Sequence, residues 1–443
     1  MSATTAIFAD GMRRRDADAV ERMVLAHWLA VPLFATIFLQ RFVMPFSGGI
    51  ALHLFVMLAV VGVLALRGAL VVDPVRVGLM SLFACSLSLS TAANASNVSL
   101  DSAALVTVMY MPFVLSLRAP DGLFEDCARI FQRMMLFCAV AGILQYTLQY
   151  IFPGPRLFTF RNLVPEDWLI ANFNTTNPLT WGSHIYKSNG VFFVEPSVFS
   201  QFLSIAILFE VLYFRRTMRM AVFVIALLLT YSGTGPLMLG IVLPWVILQR
   251  RAYRLLIGLA VLAGIAVATG DLWHLDALLG RVSEFGQRDT SATDRFIAAA
   301  WVIADTMRWS AHDMLLGYGP GSYVRVVRFA AYDAHDPVWA KLLFEYGILG
   351  VVSFSAFFCR ALFHAVPSGW IAVALGVGFI VFGGEFLDPR LNALILTFCV
   401  LPKRSPGAGG LHATAPAETA RQVEPQSGPA AARPDRPTPS LWA

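Results

Sequence analysis

The chain has 443 residues, 57% hydrophobic and only 14% charged, with a formal net charge of +5 and a mean hydropathy of +0.65. A soluble domain carries about 25% charged residues, so this composition excludes an ordinary soluble fold and points to one membrane bundle. The arginines cluster beside the apolar runs, which reads as orientation in a bilayer and speaks against a nucleic-acid partner.

About 20 apolar residues of helix cross a hydrocarbon core, and runs of that kind recur along the chain. Arg13, Arg14 and Arg15 precede the first run as in a signal peptide, but further spans follow and no small-residue cleavage site is evident. An uncleaved first helix is therefore expected at about 24–40, after a cytoplasmic segment 1–23. The next spans are expected near 49–66, 77–93, 102–117 and 134–152. A loop at about 153–189 leads to a sixth span near 191–213. Two short spans, 220–232 and 235–249, flank Ser232-Gly233-Thr234, and a ninth is read at 255–269. The longest loop, about 270–338, precedes the last three spans near 339–362, 368–384 and 390–401. The tail 402–443, rich in Pro, Ala and Gly, is expected to be disordered and cytoplasmic.

Short loops rich in Lys and Arg stay in the cytoplasm. The arginine-bearing turns after spans two, four, six, eight and ten all fall on one side, with Lys403 and Arg404. The turns 94–100 and 232–234, on the other side, carry no Lys or Arg. The fold class expected is thus all-α: a polytopic transmembrane bundle of about twelve spans with both termini cytoplasmic, in a bacterial inner membrane. Arg41 and Arg390 dissent from the pattern and are expected to snorkel from helix ends to the interface. None of Cys85, Cys127, Cys138, Cys359 and Cys399 falls in an external loop, so neither a structural disulfide nor a thiolate metal site is expected.

Chemistry must then sit in the external segments 153–190 and 271–340. The stretch 292–309 carries Phe296, Trp301, Val302 and Trp309 among Arg295, Asp305 and Arg308, and is read as an amphipathic helix on the outer surface. Trp273, Trp301 and Trp309 are read as interfacial anchors, with sugar stacking as the sharper alternative. Gly317-Tyr318-Gly319-Pro320-Gly321 predicts a tight turn or a close backbone approach. Glu195 falls near the outer end of span six, where an ionised carboxylate is costly unless paired or wet, which makes it a functional candidate. Lys341 and Glu345, at i and i+4, are expected to pair with each other. His274 and His312 are external but lack a supporting context. No phosphate loop, zinc spacing or external Asp-x-Asp pair is present in the sequence, so neither a nucleotide nor a metal is expected to drive a reaction.

Four segments, taken in order, resemble a known family. They are Asn189-Gly190-Val191-Phe192-Phe193-Val194-Glu195-Pro196-Ser197, and Ser232-Gly233-Thr234-Gly235 between two short helices. Then come Arg295 with Trp301 ahead of the glycine turn, and Ala334-His335-Asp336-Pro337 running on to Leu343-Phe344-Glu345-Tyr346-Gly347-Ile348-Leu349-Gly350. Together they resemble the O-antigen ligase and Wzy-type polysaccharide polymerase superfamily over about 185–350; elsewhere the likeness rests on span count.

The resemblance implies transfer of a glycan from undecaprenyl diphosphate to an acceptor hydroxyl on the periplasmic face, with no metal or cofactor. It implies His335 as the base and Arg295 as a clamp on the diphosphate. A departing diphosphate builds negative charge that fixed cations stabilise, and an attacking hydroxyl must lose a proton to a base of near-neutral pKa. Glu195 would orient a sugar or an arginine. Ligase-like members often carry an arginine directly after the serine-rich turn, whereas the matching position here is Gly235 or Pro236. A second cation must then come from elsewhere, with Arg281, Arg288, Arg161 and Lys187 as candidates. Arg325 and Arg328 flank the glycine turn, and Gly319 and Gly321 would let substrate approach the backbone. The expected function is polymerisation of lipid-linked repeat units, beside a flippase and a chain-length regulator. A ligase to lipid A-core or another acceptor is the near alternative, and a polysaccharide flippase or transporter the alternative of another class.

Overall fold

The computed structural model describes residues 3–402 apart from 46, 48, 119, 162, 172, 181, 251–263, 265–289, 309, 331–332 and 383–385; for 3–16, 250, 291 and 292 it describes the backbone alone. By its contacts the chain divides into Met1–Ser405 and Pro406–Ala443. The expected ninth span, Trp273, His274, Arg281, Arg288, Trp309, Lys403, Arg404 and the tail lie outside the described residues.

The chain is mostly helical. Its first half holds α1 (Ala3–Phe38), α2 (Leu52–Leu66), α3 (Pro74–Ala93), α4 (Leu100–Tyr110), α5 (Leu123–Leu148), α6 (Pro196–Phe209), α7 (Thr217–Leu228) and α8 (Thr234–Arg250). The second half holds the short α9 (Ser291–Phe296), α10 (Ala298–Thr306), α11 (Ala311–Leu316) and α12 (Ser322–Val327), then α13 (Val338–Phe363), α14 (Gly369–Val381) and α15 (Pro389–Ile395). Five segments are long and apolar enough to cross a membrane: Ala17–Phe38, Pro74–Ala93, Leu123–Leu148, Pro196–Phe214 and Val338–Phe363. Shorter apolar helices occupy the places of six other expected spans.

Local chemistry sets the helix starts. Asp73 caps α3 by accepting from the backbone N–H groups of Val75 and Arg76, with Pro74 in the first helical position. Ser99 caps α4 through the N–H of Ser102 at 3.2 Å. The fifth helix begins at Leu123, well before the expected 134, because its charged first turns extend the helix beyond the apolar run. There Asp126 pairs with Arg129 at 2.8 Å and with Arg22 of α1 at 3.0 Å, and acids in a first turn suit the helix dipole. Residues 1–23, read as a separate segment, belong from Ala3 onward to α1.

α6 is the centre of the bundle. A helix that is apolar all round is buried on all sides, and Phe199, Phe202, Leu203, Ile205, Ala206 and Phe209 are inaccessible to water. α5, α7, α8 and α14 pack around it, while α13 lies against α3.

The connections gather at two ends. At one, strands β1 (Leu70–Val72) and β2 (Leu115–Leu117) pair antiparallel with Leu70 opposite Leu117, and the N–H of Leu117 donates to Leu401. At the other, Val43 bonds to Trp168, Ser99 to Pro320 and Ser188 to Leu229. The first end collects turns that the charge pattern assigned to one face, and the second collects turns assigned to the opposite face. Arg41 and Arg390, expected to snorkel, are instead buried, at 2% and 5% exposure. Arg390 pairs with Asp388 and lies 4.9 Å from the ring of Phe173, so a carboxylate and an aromatic face replace the expected water.

Candidate active site

Glu195 sits immediately before α6, in extended conformation (φ −146°, ψ 156°), with Pro196 as the first helical residue. Its carboxylate makes no capping bond to its own helix and turns to other partners. Oε2 accepts from Ser197 Oγ at 2.9 Å and Oε1 from the Asn174 N–H at 3.4 Å. The Arg295 guanidinium stands 3.8 Å from Oε2. A charge-assisted hydrogen bond is about 2.7–2.9 Å, so Glu195 holds Arg295 by charge and not by a short bond.

Arg295 comes from α9, which Thr290 starts by accepting from the Thr293 N–H. The residue before it, Asp294, accepts the backbone N–H of His335 at 3.0 Å, and the carbonyl of His335 accepts from Tyr323 Oη at 3.0 Å. Both faces of the His335 main chain are therefore tied, while the residue as a whole keeps access to water. Next to it, Asp336 accepts from the buried Lys341 Nζ at 2.8 Å. The protein packed around the His335 ring, and then the positive charge of Arg295, push its pKa below the ordinary histidine value; Glu195, Asp336 and Asp333 oppose that shift. The imidazole is thus held neutral at pH 7, the form that accepts a proton.

A small second core supports this arrangement: Ala299, Val302, Ile303, Met307, Tyr323 and Phe344 bury one another. It also corrects an expectation. The stretch 292–309 is not one surface helix but α9 and α10, broken at Ile297, and its apolar face packs on the start of α13 instead of on headgroups.

The other candidates are dispersed. Lys187 is buried in the 174–189 loop, its N–H on Asn177. Arg161 is exposed on the wall of a separate cleft. Arg325 Nη2 donates to the Asn97 carbonyl at 2.9 Å and holds the link between α3 and α4, and Arg328 is exposed at the end of α12. Gly319 and Gly321 face protein instead of an open groove. A Cβ on Gly319 would come within 2.5 Å of Val98, and one on Gly321 within 2.7 Å of Ser99. Lys341 and Glu345 do not pair as expected, since Lys341 is held by Asp336 and Glu345 lies against the backbone N–H groups of Gly321 and Tyr323. His312 is exposed and sits beside Asp313 at 3.2 Å.

The turn after α7 is tightly packed at Gly235, one of the two positions where the arginine is missing. Thr234 Oγ1 bonds to Ser200 Oγ at 2.8 Å, to Ser232 Oγ at 2.9 Å and to the Ser197 carbonyl at 3.0 Å, and Gly235 N–H donates to Ser200 Oγ. A Cβ at Gly235 would lie 2.4 Å from the Ser200 carbonyl, so no side chain fits there. Asn174, Ser197 and Asp336 escaped the reading as contributors to the site. Ser197 was within reach of it, because a serine two residues after a helix-leading Glu-Pro is placed to donate back to the carboxylate.

The arrangement offers a neutral imidazole beside a guanidinium and a carboxylate, at the end of the bundle where the long loops gather. It can take a proton from a hydroxyl and stabilise a leaving anion. Comparison with protein-family models gives no match, and a search of curated proteins finds no matching relative.

Proposed function

We propose that this chain is a polytopic inner-membrane glycosyltransferase that polymerises undecaprenyl-diphosphate-linked repeat units into exopolysaccharide or O-antigen on the periplasmic face. The proposal includes about twelve spans with both termini cytoplasmic. The observation that carries it is the meeting of Glu195, Arg295 and His335, distant in sequence and singled out on separate grounds, at the loop-bearing end.

In this reading His335 accepts the proton of the acceptor hydroxyl as that oxygen attacks the anomeric carbon of the donor sugar. The bond from that carbon to the diphosphate oxygen breaks, and Arg295 stabilises the departing diphosphate. Glu195 orients Arg295. A single displacement inverts the anomeric configuration. The absence of an arginine at Gly235 and Pro236 favours a polymerase over a ligase.

The test is the lipid-linked glycan profile of a deletion strain. A polymerase leaves single repeat units, whereas loss of a ligase leaves long lipid-linked polymer. Complementation with His335→Ala or Arg295→Ala should fail to restore polymer; normal chain length at normal abundance rejects these roles. A topology reporter fused near residue 310 must read as periplasmic.

A further inference from the structure

Arg41 is a buried cation that makes no ion pair among the described residues. It follows α1, and its Nε and Nη1 donate to the backbone carbonyls of Phe193 at 2.8 Å and Phe158 at 3.0 Å. Its Nη2, equally buried, has no acceptor among the described residues. Carbonyl oxygens satisfy N–H groups but leave the net charge standing, and an uncompensated buried charge is costly. Burial pulls the Arg41 pKa down to about 9, which still leaves it charged at neutral pH.

The guanidinium lies 4.8 Å from the centre of the Phe160 ring, and both residues line a cleft of about 260 Å³. Ligand pockets run from about 300 Å³ upward, so this one suits a single sugar unit and not a chain. Its walls hold Thr159 and Thr175 hydroxyls, the Phe173 ring and the carboxylates of Glu166 and Asp167. Hydroxyls and carboxylates match the hydroxyl groups of a sugar, and Arg161 on the same wall adds a second positive charge to that of Arg41.

The cleft also adjoins the candidate active site. Phe173 and Thr175 flank Asn174, whose N–H donates to Glu195, and the Phe193 carbonyl held by Arg41 lies two residues before Glu195. A glycan reacting at Glu195, Arg295 and His335 would lay a neighbouring unit here.

We propose that this cleft is a subsite for an acidic sugar residue of the glycan, whose carboxylate Arg41 binds. The inference rests on the glycan reading above for the identity of the ligand, and it places a uronate or similar acid in the repeat unit.

The test is binding to the purified full-length protein in lipid nanodiscs. The probes are a glucuronate-containing disaccharide, the same disaccharide with its carboxyl reduced to an alcohol, and inorganic phosphate. A charged hydrogen bond predicts that the uronide binds at least about 10-fold more tightly than its reduced form, with the difference lost in Arg41→Gln. Equal affinity for the two disaccharides, or no binding of either, overturns the proposal. So does saturable phosphate binding without uronide binding, which would assign the cleft to a lipid phosphate. Arg41 also ties two loops together, so the disaccharide comparison on the unaltered protein decides the matter if Arg41→Gln does not fold. Binding reads no turnover, and the glycan profiles of the His335→Ala and Arg295→Ala strains therefore test the catalytic reading independently.

Discussion

The backbone N–H of His335 donates to the carbonyl oxygen of Asp294 at 3.0 Å, which fixes the histidine loop beside the residue preceding Arg295. The bond runs between main chains, so it survives replacement of either side chain. Position and chemistry can therefore be separated by mutation, which is uncommon for a residue on a loop.

His335→Ala should accordingly remove activity with little change in folding. A positioned general base contributes about 10²–10⁴-fold, and a loss in that range is expected in polymer formed by purified protein from lipid-linked repeat units. The thermal midpoint in detergent should move little, because the Asp294 and Tyr323 bonds engage only its backbone. A large fall in the midpoint together with activity would make His335 structural.

The Arg295 charge predicts a pH effect with a definite sign. Packing and Arg295 lower the His335 pKa, whereas Glu195, Asp336 and Asp333 raise it. Arg295→Gln removes a lowering influence and leaves the three raising ones, so the imidazole pKa should climb. The acid limb of any residual activity should move to higher pH, and an NMR titration of isotope-labelled histidine should show the same shift without need of turnover. The linked stability follows. With a folded pKa below the unfolded one, acidification through the ordinary histidine value destabilises the native protein, and Arg295→Gln should lessen that loss. A shift to lower pH contradicts the arrangement.

The helical class and the apolar helices long enough to cross a membrane were legible because a bilayer imposes length and composition on each span. Glu195, Arg295 and His335 were legible as residue types, Glu195 near a helix end and the other two in a long loop, and their meeting was not. That meeting depends on backbone bonds such as His335 to Asp294, which leave no trace in composition. The misreadings share a cause: a local rule was applied where a long-range partner prevails. Lys341 was paired with Glu345 by helical spacing, but Asp336 reaches it from the loop. Arg41 and Arg390 were sent to the interface by topology, yet Phe158, Phe193 and Asp388 hold them inside. The glycines at 319 and 321 were read as room for substrate, and protein fills it.

Glycine has a different purpose at 347. There α13 kinks, with φ 61° and ψ −166°, and the carbonyls of Phe344 and Glu345 accept instead from the N–H groups of Tyr318 and Gly319, both at 2.9 Å. The kink thereby docks the glycine turn onto the helix, since carbonyls released from a helix need other donors. A Cβ at Gly347 would lie 2.4 Å from the Leu315 carbonyl. Backbone in this region costs a non-glycine residue about 1–3 kcal/mol before any clash. Gly347→Ala should lower the thermal midpoint clearly, and a midpoint equal to that of the unaltered protein would show that the kink is not needed.

The Asp336–Lys341 pair should respond unequally to the loss of each partner. Lys341 is at 2% side-chain exposure and Asp336 at 32%. With Lys341→Met, Asp336 can turn to water and the methionine fills the same apolar slot, so the cost should be the smaller of the two. With Asp336→Asn, the ammonium stays buried without its carboxylate, and breaking a buried pair from one side costs about 3–5 kcal/mol. Chemical unfolding of both variants in the same detergent measures the difference. Asp336→Asn should be the less stable by a wide margin, although it is the gentler change in shape. Equal losses would mean that Lys341 finds water or Glu345 when Asp336 is gone. The loop carrying His335 would then be anchored by its two backbone bonds alone.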